Sequence, residues 1–121
     1  IYYTFVMKSI VNKPWGSFEI INEGKKYTVK KIIVNPGAQL SLQSHENRSE
    51  HWLIAEGSAE VTINRETFNL NENQHIFIPQ GAKHRLSNKG TKTLIVVEMW
   101  FGDDLDENDI KRYEDIYNRV L

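Results

Sequence analysis

Gln39, Ser41, Gln43 and His45 alternate with Leu40 and Leu42, so an extended chain through them projects an amide and an imidazole from one face. Glu50 follows five residues after His45, and His84 lies far downstream, behind a Pro79-Gln80-Gly81 turn and at the head of another β-rich run. An amide oxygen, two imidazoles and a carboxylate form a donor set for one borderline divalent ion, with Zn foremost and Co, Mn, Ni or Fe as alternatives, and with positions left for water or substrate. The chain has no cysteine, which removes disulfides, thiolate metal sites and cysteine nucleophiles together. Four histidines and sixteen acidic residues offer such groupings by chance, so donor types alone do not separate a metal site from scattered polar residues.

Strands must carry these donors. From Phe18 onward the chain is a succession of short β-rich runs: FEII, YTVKKIIV, QLSLQ, HWLIAE, AEVTI, ETFNL, HIFIP and TLIVVEMW. Turn signals fall between them at Asn22 to Gly24, Asn35-Pro36-Gly37, Glu56-Gly57, Asn64-Arg65, Asn71 to Asn73, Pro79 to Gly81 and Asn88 to Gly90. No helix-period segment interrupts the series, which favours an antiparallel sandwich or barrel over βαβ units. In the tail, Ile110, Tyr113, Ile116, Tyr117 and Val120 recur at three- and four-residue spacing behind Asp106, a potential cap. That spacing predicts an amphipathic helix over about 107 to 119, packed on the outside of the sheet.

The 121 residues suffice for one domain with a single core. A formal charge of -1 without long runs of either sign gives no nucleic-acid or membrane footprint. No apolar stretch approaches the roughly 20 residues of a membrane span, and the first ten residues lack the order of a secretory signal, so the expected compartment is the cytoplasm.

The spacing Gly37, Gln43-x-His45, Glu50, Gly57 resembles the first cupin motif, with Gln43 at the first His position. Asn73 to Asn88 resembles the second, with Pro79, Gly81, His84 and Asn88 in place and Asn73 where the first Gly would stand. The resemblance implies an all-β cupin jelly-roll barrel, here with a C-terminal amphipathic helix, whose metal ligands Gln43, His45, Glu50 and His84 converge inside. Residues 13–121 then form the single cupin domain and residues 1–12 an N-terminal extension.

A narrower resemblance covers nearly the whole chain after Asn12. Pro14-Trp15-Gly16 with Phe18-Glu19, Leu40-Ser41-Leu42-Gln43-x-His45, Arg48-x-Glu50-His51-Trp52, Glu72-Asn73-Gln74, Ile78-Pro79 and Asp109-Ile110-x-Arg112-x-x-Asp115-x-Tyr117-x-Arg119 look like the C-terminal cupin domain of type II phosphomannose isomerases. In that family the domain often follows a mannose-1-phosphate guanylyltransferase domain, and Gln at the first cupin His position is part of its pattern. Two positions depart: Asn47 stands where the family commonly has His, and Asn118 where it has Gly. Asn tolerates positive φ, so the second change is mild. Asn47 removes an imidazole near the metal and bears on turnover more than on metal binding.

The resemblance implies interconversion of mannose 6-phosphate and fructose 6-phosphate with a divalent metal. Such chemistry needs a base for the C2 proton, an electrophile at the carbonyl and a cation for the phosphate. The metal supplies the electrophile, and Arg48, in the loop between His45 and Glu50, is the nominated phosphate contact because a guanidinium fork matches phosphate oxygens. A solvated loop arginine is the rival reading. No base is assigned: Glu50 is occupied, His51 alternates away, and a Lys on the Tyr27 to Val34 run must be desolvated first. Arg85 should face off the interior, His75 is a strand or turn histidine, and Trp15 and Trp52 are core or cavity wall. Arg112, Asp115, Tyr117 and Arg119 fit either a helix-packing ion pair or a substrate contact. The alternative function is a non-catalytic metal-containing cupin that binds a sugar or sugar phosphate; another cupin reaction, such as a dioxygenase, is a third. A homodimer is expected, since an open barrel leaves edge strands and an apolar outer face.

Overall fold

The structure, a computed structural model, describes residues 9–119. Eleven strands follow one another: β1 (Ile10–Lys13), β2 (Gly16–Glu23), β3 (Tyr27–Val34), β4 (Leu42–Ser44), β5 (Ser49–Glu56), β6 (Ala59–Ile63), β7 (Glu66–Leu70), β8 (His75–Ile78), β9 (His84–Ser87), β10 (Leu94–Phe101) and β11 (Lys111–Glu114). They form a six-stranded sheet, β1-β2-β3-β10-β5-β8, and a five-stranded sheet, β11-β4-β9-β6-β7, with every pairing antiparallel. The all-β expectation holds.

Alternation fills the space between the sheets. Ile32 and Val34 of β3, Trp52 and Ile54 of β5, Ile78 of β8, and Leu94 and Val96 of β10 meet Ala59 and Val61 of β6 and Leu86 of β9 in one buried cluster. Each fully buried Val, Leu or Ile contributes about 1.5–3 kcal/mol. The inward rows change character along the six-stranded sheet. Val96 lies between Ile32 and Ile54; one row on, Glu98 lies between Lys30 and Trp52; the next places Trp100 between Thr28 and Glu50. One end of the interior is packed hydrocarbon, and the other is charged and open.

The outer face of this sheet exposes Tyr27, Leu53, Phe77, Met99 and Phe101, the apolar surface expected from the sequence. Two asparagines stand where the motifs have glycine, and both adopt left-handed backbone: Asn73 at φ 71° and Asn118 at φ 60°. Gly57, at φ 82°, is required for a second reason, since a Cβ there would lie 2.8 Å from the Thr93 carbonyl oxygen.

The C-terminal helix is a correction. Among the described residues there is no α-helix, and Lys111–Glu114 is instead the edge strand β11, pairing Lys111 with Ser44 and Arg112 with Gln43. The apolar spacing that suggested a helix does not form one face: Ile116 is exposed, while Ile110, Tyr113 and Tyr117 are half-buried. Asp106 caps a tight turn, accepting Asn108 N–H on its side chain and Asp109 N–H on its carbonyl. The open edge of β4 then supplies the tail's backbone partners, and tertiary pairing overrides local periodicity. At the other end, residues 10–12 of the expected extension form β1 with Lys13; residues 1–8 and Val120 lie outside the described residues. No helix among the described residues is long and apolar enough to cross a membrane.

Candidate metal centre

Antiparallel pairing places Gln43 of β4 directly opposite His84 of β9. His45 follows one residue beyond the end of β4, and Glu50 points inward from the second position of β5 in the facing sheet. His45, Glu50 and His84 are all buried, and their donor atoms lie within 4.8 Å of one another. Gln43 lines the same cavity; its amide nitrogen donates to the Ser41 carbonyl at 3.3 Å and to the Ser41 hydroxyl at 3.2 Å, leaving its oxygen available. The structure therefore brings together all four expected ligands.

Hydrogen bonds set the tautomers. His45 Nδ1 lies 2.6 Å from the Asp109 carbonyl oxygen and His84 Nδ1 lies 3.0 Å from that of Ala82. A carbonyl only accepts, so both rings carry hydrogen on Nδ1 and keep the Nε2 lone pair. Glu50 Oε1 accepts from Trp52 Nε1 at 2.8 Å, and Oε2 accepts from Arg48 Nε at 2.7 Å. Burial lowers His45 to about 4 and lowers His84 as well. Burial alone would raise Glu50, yet His84, His45 and Arg48 together bring it down to about 2. Two neutral imidazoles and a carboxylate are the protonation states that a divalent cation needs, and the donor set fits one.

Arg48 is the nominated phosphate contact, and its guanidinium is engaged inside this cluster. It is buried, stacks 3.5 Å from the Trp100 ring centroid, and places Nη2 3.1 Å from His45 Nε2, against the lone pair a metal would take. A cationic group thus already stands beside the donors.

Sequence reasoning missed the charged row of the cavity. Lys30 is buried, with its ammonium 2.6 Å from Glu107 Oε2 and 4.0 and 3.8 Å from the ring centroids of Phe18 and Trp100. Burial lowers its pKa. Glu98 accepts from Trp100 Nε1 at 2.8 Å, and loss of water around it, with Glu50 nearby, pushes it up to about 8. The available signal was parity: each is a charged residue at an inward position of an apolar run. Lys13, Arg112 and Arg119 line the same cavity. Among the described residues Arg112 Nε is buried without a partner, whereas Arg119 donates to both Asp115 oxygens at 2.6 and 3.1 Å.

The remaining expectations fall as follows. His51 stacks on Phe77 on the outer face, His75 is exposed, and Arg85 bonds outward to Leu40 O and Glu114. Trp15 and Trp52 are core, and Trp52 also holds Glu50. Asn47 is exposed, with its backbone N–H donated to Asp109 Oδ2.

Residues 4–115 match the family described as mannose-6-phosphate isomerase C-terminal. The chain belongs to that family. Among its relatives, the alginate biosynthesis protein AlgA of Pseudomonas aeruginosa is 47% identical over 110 residues, covering 91% of this chain and 23% of that protein. The mannose-1-phosphate guanylyltransferase ManC of Salmonella typhimurium is also 47% identical over 110 residues, with the same 91% and 23% coverage. The domain thus spans about a quarter of the length of these relatives. Its fold is that of the Schizosaccharomyces pombe Cnp3 cupin domain, with a TM-score of 0.69 at 16% identity, covering 82% of this chain and 72% of that one.

Proposed function

We propose that this domain is a metal-dependent aldose-ketose isomerase acting on a sugar phosphate, mannose 6-phosphate with fructose 6-phosphate. The observation that carries the reading is one cavity lined both by a metal-ready donor cluster and by the cationic side chains of Lys13, Arg112 and Arg119. Gln43, His45, Glu50 and His84 would hold the ion, and when bound it supplies an electrophile for the sugar carbonyl and neighbouring hydroxyl. Arg112, whose Nε lacks a partner among the described residues, takes the phosphate, with Lys13 and Arg119 lining the same cavity. Arg48 positions Glu50 instead of reaching for phosphate.

Isomerisation moves one proton from C2 to C1 and a hydroxyl proton from O2 to O1. Glu98 and Lys30, paired across β3 and β10 and both on the cavity wall, are the groups placed to take and return the carbon-bound proton. Trp52 and Trp100 exclude water around them.

The test is metal analysis of the purified protein followed by a coupled assay with mannose 6-phosphate, using His84→Ala as the control. Turnover that disappears with metal and with His84 supports the isomerase. Stoichiometric metal without turnover supports the second reading, a domain that binds sugar phosphate without converting it, which the Asn47 departure favours; Asn47→His then asks whether an imidazole restores activity. The relatives' guanylyltransferase name belongs, on this reading, to the part of those proteins that this chain does not span.

A further inference from the structure

The segment between β10 and β11 lies across the metal centre, and one of its residues holds three consecutive residues of the ligand loop. Asp109 Oδ1 accepts the Glu46 N–H at 2.9 Å, and Oδ2 accepts the Asn47 N–H at 2.9 Å. Its main-chain carbonyl accepts His45 Nδ1–H at 2.6 Å. Arg48 Nη1 lies 3.4 Å from the same carbonyl and 3.4 Å from that of Asp106. These contacts join positions 58 to 64 apart in sequence.

His45 needs such support. It lies beyond the last residue of β4, where a single backbone bond, from the Gly81 N–H to its carbonyl at 3.0 Å, holds the main chain and leaves the ring free to turn. An imidazole can also present either nitrogen, and a ligand must present the right one. The Asp109 carbonyl selects the Nδ1–H tautomer and leaves Nε2, 3.3 Å from Glu50 Oε2, as the donor. The carboxylate selects where that carbonyl sits, because both of its oxygens are tied to the loop carrying the imidazole.

We propose that Asp109 is a positioning residue for the metal centre: its carboxylate clamps the 45–47 loop, and its carbonyl thereby fixes the ring and tautomer of His45. The inference rests on the reading of this cluster as a metal site, but its central statement concerns the metal-free protein.

The experiment compares the unaltered chain with Asp109→Ala, Asp109→Asn and Asp103→Asn. Asp103 lies on the same segment in an exposed ion pair with Lys26, and serves as the control. The first readout is the pair of ring ¹⁵N shifts of His45 without metal; the second is Zn and Co affinity by chelator competition. The expected result for Asp109→Ala is convergence of the two ring shifts toward tautomer averaging, with affinity falling about 10- to 100-fold, as for other lost outer partners of metal-binding histidines. Asp109→Asn keeps one acceptor oxygen and should fall between, while Asp103→Asn matches the unaltered chain. His45 shifts and metal affinity both unchanged in Asp109→Ala overturn the proposal. If Asp109→Ala does not fold, Asp109→Asn decides by the same two readouts. If the unaltered chain binds neither ion, the metal reading fails separately, and the metal-free ring shifts still decide on Asp109.

Discussion

The cavity is bounded by two regions built in different ways. Its donor wall comes from β4, β5 and β9, where antiparallel register assigns Gln43, Glu50 and His84 a row and a face, with His45 one residue past the end of β4. The segment that closes it, residues 102–119, has one short strand and otherwise depends on point contacts: Lys30 with Glu107, Asp109 with the 45–47 loop, Ser44 with Tyr113, and Arg119 with Asp115. A ladder distributes the placement of one residue over many backbone bonds; a point contact concentrates it in one side chain. The wall should therefore lose function through the ligand atom itself, and the closing segment through gradual loss of position.

The largest effect that would sharpen this contrast is on metal affinity. His84→Ala removes a donor from the wall, and its loss of Zn binding should exceed the about 10- to 100-fold that removal of an outer partner brings. Equal losses for His84→Ala and Asp109→Ala, measured by chelator competition, would break the contrast. Glu50→Gln should cost about 3–5 kcal/mol of metal-free stability by chemical denaturation, because it leaves the buried Arg48 guanidinium without its counter-charge.

The pH dependence of metal-free stability separates two parts of the wall. His45 titrates at about 4 when folded against 6.5 in the unfolded chain, so the unfolded state takes up protons first and stability falls as pH drops from about 6.5 to about 4. His84, also lowered, acts in the same direction. Glu98 does the reverse: its unfolded form ionises near 4.5 while the folded form holds its proton to about 8, so its stabilising contribution is lost as pH rises through that range. Stability should peak near the upper end of the overlap and decline toward pH 8, and Glu98→Gln should remove the alkaline decline. Denaturation series at pH 5 to 8 check both limbs. The smallest effect belongs to the closing segment, where Tyr113→Phe loses the 2.9 Å contact with Ser44 and should lower stability by about 1 kcal/mol with metal affinity unchanged.

The same contrast governs what was legible in the sequence. Gln43, His45, Glu50 and His84 could be found because turns and alternation fix rows at set spacings, and the motifs record those spacings. Arg48 was located but its partners were not, since nothing local shows that its guanidinium folds back onto Glu50 and His45. Lys30 and Glu98 escaped because each is one charged residue in an apolar run, and only the pairing of β3 with β10 places them together. The tail misled because Ile110, Tyr113 and Tyr117 are spaced as in a helix, while the open edge of β4 decides its conformation.

The graded rows of the six-stranded sheet bear on how the chain resists misalignment. Alternation repeats every two residues, so a slip of two between β3 and β10 would keep every side chain on its own face and go unpunished by hydrophobicity alone. Here that slip would set Lys30 opposite Val96 or Trp100 and separate it from Glu98. A charge would then sit unmatched against hydrocarbon, at a cost of several kcal/mol. The groups nominated for proton transfer thus also act as an alignment key, marking the one frame among several that alternation would accept.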